Sequence, residues 1–126
     1  MTTIISRLTA NFIERLDMFK GIFGSENKGK ILLYIYTNGE SYPREIAKIF
    51  DLSLNGVQKQ LLNMENAGIL YSKSKGTIRL FGFNPRYPFK RELEALLEKI
   101  LKFVPEKEKE LFYFPRLRPR RTGKFL

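Results

Sequence analysis

Apolar positions recur along this chain with two periods, and the alternation between them sets out its elements. Ile5, Leu8, Phe12, Leu16 and Phe19 follow at intervals of three and four residues, the stripe of an amphipathic helix over residues 3–22. Gly24-Ser25 ends it and restarts the chain, with Ser25 as the N-cap of a helix through KGKILLYIYTN that closes near Gly39. SYPREIAKIF predicts a short helix with Pro43 near its first position, where the missing N–H costs nothing, and Ile46, Ile49 and Phe50 on one face. Ser53 then caps a further helix whose buried stripe is Leu54, Val57, Leu61 and Met64, and Gly68 sits where its C-terminus needs a left-handed residue.

After Gly68 the pattern changes. GILYSKS and TIRLFGF are β-rich runs joined at Lys75-Gly76, a hairpin signal, and Asn84-Pro85 breaks the second. PFKRELEALLEKILKFV restores helical spacing, with Phe89, Leu93, Leu96, Leu97, Ile100, Leu101 and Val104 apolar, until Pro105 stops it. FYFPRLRPRRTGKFL has no period and predicts an extended arm. The expected fold is mainly α with a small β-hairpin wing: a winged helix-turn-helix with additional N- and C-terminal helices. Its divisions are an N-terminal helix (1–23), a helix-turn-helix with wing (24–87), a C-terminal helix (88–105) and a basic Pro/Arg-rich arm (106–126).

The helix after Ser53 carries an unusual outer face. At 100° per residue, Asn55, Lys59, Asn63 and Asn66 fall opposite or beside the apolar stripe, with Gln58 at its edge. Asn and Gln donate and accept at once, as reading adenine requires, and Lys reaches guanine acceptors or phosphate. Gly56 permits close backbone approach. The bland alternative is a solvated face. In the hairpin, Lys73, Lys75 and Arg79 surround Gly76, fit either for the DNA backbone and minor groove or simply to protect edge strands. Arg44 and Lys48 on the preceding helix are candidates for backbone phosphates.

Three stretches carry a family resemblance: REIAKIFDLS, then V-x-x-x-L-x-x-M-E-x-A-G-I-L from Val57 to Leu70, then KGTIRLFGFNP. Over roughly residues 24–104 the chain resembles winged-helix transcriptional regulators of the ArsR/MarR type. That resemblance implies that Leu54, Asn55, Gln58 and Lys59 stand at the base-reading start of a recognition helix. Leu62 departs from the pattern at a position that is often polar or basic. The absence of Cys and His also removes the ligands of metal-sensing members.

Charge sharpens the expectation. Residues 111–126 carry Arg116, Arg118, Arg120, Arg121 and Lys124 and no acid, half of a net charge of +10. Such a surface points to a polyanion, nucleic acid first and an acidic membrane surface second. Without His or Cys, neither the usual zinc sites nor a His-based triad can be built, and no enzyme activity, cofactor or metal is expected. No apolar run approaches the roughly 20 residues that span a membrane, no signal-peptide core is evident, and a cytoplasmic, nucleoid-associated protein is the expectation. The faces Ile4/Ile5/Phe12/Phe19 and Leu97/Leu101/Val104 predict a homodimer through the terminal helices. The function that follows is a dimeric, sequence-specific regulator of double-stranded DNA, a repressor on a palindromic site. The alternative is a winged-helix module that binds a protein partner or RNA through its basic face and arm.

Overall fold

Two serines start two of the principal helices, each by the same local device. In the computed structural model, which describes residues 19–113, Ser25 Oγ accepts a hydrogen bond from Lys28 N at 3.2 Å and opens α1 (Glu26–Asn38). Ile31, Leu32, Leu33, Tyr34 and Ile35 are all buried, so α1 is surrounded by the other elements and needs no polar face. Gly39, at φ 89°, ends it and donates to Ile35 O at 2.7 Å.

A two-residue strand, β1 (Glu40–Ser41), leads into α2 (Pro43–Phe50), with Pro43 in its first turn. Asp51 adopts the left-handed conformation (φ 55°, ψ 53°), and Leu52 N reaches back to Ala47 O at 2.9 Å. Within three residues the chain turns into α3 (Leu54–Asn66). Here Ser53 Oγ accepts from Gly56 N at 3.0 Å, satisfying one of the orphan amides of the first turn. Val57, Leu61 and Met64 bury the inner face. Gly68, at φ 85°, then lets Ile69 N return to Met64 O at 3.0 Å.

The hairpin is β2 (Leu70–Lys75) and β3 (Ile78–Phe83), turning at Gly76-Thr77 with Gly76 at φ 63°. β3 lies in the middle of a three-stranded antiparallel sheet, ordered β1-β3-β2. The strand β1 carries no sequence signal: two residues are too few to show a period, and it forms because Glu40 and Ser41 pair with Gly82 and Phe81. Leu70, Phe81 and Phe83 are buried on the inner face.

α4 (Lys90–Leu101) and α5 (Glu106–Tyr113) complete the described chain. Two expectations are corrected here. Residues 106–126 are not an arm throughout, because Pro105 also starts α5: Lys109 N bonds to Pro105 O at 3.0 Å. α5 is docked, with Phe112 buried against Phe50 at a ring separation of 5.5 Å. The Phe112 carbonyl accepts from Thr37 Oγ1 (2.8 Å) and Asn38 Nδ2 (2.9 Å). The faces assigned to dimerisation are also largely spent within the chain. Leu97, Leu101 and Val104 are buried against the core, and Phe19 packs so closely on Gly29 that a Cβ there would stand 2.6 Å from Phe19 Cγ. Ile4, Ile5 and Phe12 lie outside the described residues. Among those described, no helix is long and apolar enough to cross a membrane.

Candidate nucleic-acid interface

The inner stripe of α3 fixes which side chains face outward. With Val57, Leu61 and Met64 held in the core, Asn55, Gln58, Lys59, Leu62, Asn63 and Asn66 are exposed. Asn55, Lys59, Leu62 and Asn66 lie within about 60° of arc on one line down the helix. Glu65, the acid of this helix, does not share that line. It accepts a hydrogen bond from Ser72 Oγ at 2.6 Å, so the outward face is cationic and amide-bearing without a carboxylate.

Two of the predicted α3 residues have structural duties. Leu54 is half-buried and packs against the core, so it positions the helix start. Gly56 leaves room for the cap: a Cβ there would lie 2.8 Å from Ser53 Oγ. Close approach of a ligand is not needed to explain a glycine at that position.

The hairpin divides its cations between two faces. Cross-strand pairing aligns Tyr71 with Gly82, and Gly82 with Glu40. Lys73 shares the Tyr71 face by the two-residue period of a strand. It ion-pairs with Glu40 Oε2 at 3.2 Å, which directs it away from α3. The hydroxyl of Tyr71 donates to the same carboxylate oxygen. That hydrogen bond, above the Lys73 charge, holds the Glu40 carboxyl below the usual range against the opposing effect of burial. Burial first, and the bond to Glu40 second, push the Tyr71 phenol up to about 12.

Arg79 lies on the other face. Its Nε donates to Ser72 Oγ at 2.9 Å and its Nη1 to Ser74 Oγ at 3.2 Å. Through Ser72 the guanidinium is linked to Glu65, so the hairpin is tied to α3. Arg79 therefore stands beside Gln58, and the two line a shallow cleft with Pro43, Leu62 and Phe81. Lys75 is exposed at the hairpin end, next to Gly76. Arg44 and Lys48 are exposed one turn apart on α2.

The structure thus brings Gln58, Leu62 and Arg79 together around one cleft, with Asn55, Lys59, Asn63 and Asn66 along the adjoining helix face. It turns Lys73 elsewhere. The arm cations Arg116, Arg118, Arg120, Arg121 and Lys124 lie outside the described residues. Sequence reasoning missed the serines that hold Arg79. The signal was the Ser72-x-Ser74 spacing, which places both hydroxyls on one face of β2. No protein-family model, curated protein or solved structure matches the chain.

Proposed function

We propose that the chain is a sequence-specific regulator of double-stranded DNA, a nucleoid-associated repressor that acts as a homodimer on a palindromic site. On this reading α2 and α3 are a helix-turn-helix of the ArsR/MarR type and β2–β3 is its wing. One observation carries it: the outward line of α3 presents amides and a lysine with its acid drawn aside to Ser72. Asn55, Gln58 and Asn63 can make paired hydrogen bonds to adenine edges in a major groove, Lys59 reaches guanine or phosphate, and Leu62 packs on a thymine methyl. Arg79 and Lys75 lie toward the flanking backbone, and Arg44 and Lys48 toward phosphates.

A second reading is favoured by Leu62, which is 49% exposed in the middle of this polar line. In that reading Leu62 is the apolar anchor of an interface with a protein partner or RNA. Selection of bound duplexes from a random pool at near-physiological salt separates the two. An inverted repeat with half-sites about one helical turn apart supports the regulator. The paired change Asn55→Ala with Lys59→Ala then abolishes sequence preference. Recovery of no sequence above background sinks the regulator and leaves the partner-binding module.

A further inference from the structure

Burial of Leu97, Ile100 and Leu101 settles which side of α4 faces the core, and it leaves another apolar line uncovered. Phe89 is 61% exposed, Leu96 37% and Phe103 53%. These three residues are spaced seven apart, a spacing that at helical period keeps side chains within about 40° of one another, with Leu96 inside α4 and the two phenylalanines just beyond its ends. Phe89 stands at the N-cap of α4, and its ring meets Tyr87 edge-on at 5.6 Å. Phe103 continues the line in the tight turn after the helix, where its N–H donates to Ile100 O at 2.9 Å. From Phe89 to Phe103 the line is about 21 Å long.

The charges along α4 are sorted around this line. Lys90 pairs with Glu94 at 3.2 Å, and Glu98 accepts from the Tyr36 hydroxyl at 2.5 Å, both away from it. Glu92 and Lys99 flank Leu96 on the same side, one turn before and one turn after. Both are exposed, and among the described residues neither forms an ion pair.

We infer that the Phe89/Leu96/Phe103 line of α4 is the contact surface for a second copy of this chain, paired antiparallel with Leu96 at the two-fold axis. That arrangement is self-complementary. Leu96 meets the partner's Leu96, each Phe89 meets the partner's Phe103, and each Glu92 comes opposite the partner's Lys99. A parallel two-fold would carry the Glu92 and Lys99 of the two copies to opposite sides of the seam, leaving neither charge met across it. The charge order therefore selects the antiparallel form. Three anchors per copy bury less than the roughly 800 Å² per partner of a standard interface, so the free dimer is weak, and two DNA half-sites would reinforce it. In naming the surface of a dimer, the inference rests on the regulator reading, yet it is tested without DNA.

Sedimentation equilibrium of the full chain, run without DNA over a wide concentration range, is expected to give a reversible monomer–dimer equilibrium. Leu96→Glu, at an exposed position, should weaken it at least about tenfold with an unchanged circular dichroism spectrum. Lys99→Glu should weaken it, and the double reversal of Glu92→Lys with Lys99→Glu should restore it. Because the chain has no cysteine, Leu96→Cys should form a covalent dimer in air. A chain that stays monomeric throughout overturns the inference, as does a dimer indifferent to Leu96→Glu or one that the double reversal fails to rescue. A monomer that still selects a DNA sequence sinks only the seam, whereas a dimer that selects none sinks only the regulator.

Discussion

Tyr71 reaches across Gly82 to bond with Glu40. The three residues form one row over the three strands, and the middle one has no side chain. A Cβ at Gly82 would stand 2.6 Å from Tyr71 Oη, inside the space of the ring. Gly82→Ala should therefore displace Tyr71 and destabilise the fold by about 1–3 kcal/mol, the range of overpacked sites. Tyr71→Phe, which keeps the ring and loses the hydrogen bond, should cost about 1 kcal/mol. Urea midpoints rank the two, and a Gly82→Ala variant as stable as the parent would refute the close fit.

The same pair carries a pH signature. The Tyr71 phenol is raised from 10 to about 12, so its contribution is complete below the ordinary tyrosine range and fades as pH rises toward 12. The Glu40 carboxyl is lowered, so its contribution is present above the ordinary carboxylate range and is lost as acid protonates it. Following phenol ionisation by NMR, Tyr71 should titrate late among the six tyrosines. Glu40→Gln should bring its pKa down while leaving it above the ordinary value, because burial, the larger cause, persists. A Tyr71 that titrates normally in the parent chain would contradict this environment.

Ser53 and Gly56 make a testable couple. Alanine ordinarily favours a helix over glycine by about 1 kcal/mol, but at position 56 its Cβ meets the capping oxygen at 2.8 Å. Ser53→Ala should cost about 1 kcal/mol, Gly56→Ala should give little or no gain, and Gly56→Ala in the Ser53→Ala background should stabilise. Additive effects in the double-mutant cycle would mean that the two residues do not compete for that space.

Docking of α5 determines where the basic segment can be removed. Truncation after Pro105 takes Phe112 from the core, and loss of a buried Phe side chain costs about 3–5 kcal/mol. Truncation after Tyr113 leaves that packing in place and should unfold at nearly the parental temperature. If the segment lies on DNA, this shorter chain should lose up to about five phosphate contacts from the salt dependence of binding. An unchanged slope would take the segment off the DNA.

What could be read from the sequence was local. Ser25, Pro43, Ser53 and Gly68 announce helix ends through their own backbone preferences, and each stands where it was expected. What could not be read depends on partners far along the chain. Glu40 and Ser41 become a strand only because Gly82 and Phe81 are brought beside them. Lys73 looks like any wing cation until Glu40 captures it. Leu96 and Leu97 are indistinguishable as letters, and the buried run Ile31–Ile35 of α1 decides which of them faces inward. Pro105 reads as a stop alone, although the helix-favouring EKEKELFY that follows it is anchored by Thr37 and Asn38.

The two serine hydroxyls under Arg79 have an entropic consequence. A free arginine on a hairpin samples many rotamers, and immobilising one costs up to about 2 kcal/mol. Ser72 and Ser74 impose that restriction during folding and occupy two of the five N–H donors of the guanidinium. The remaining three stay grouped on an aimed, rigid fork, so an anion arriving at the cleft meets a donor set already arranged to receive it.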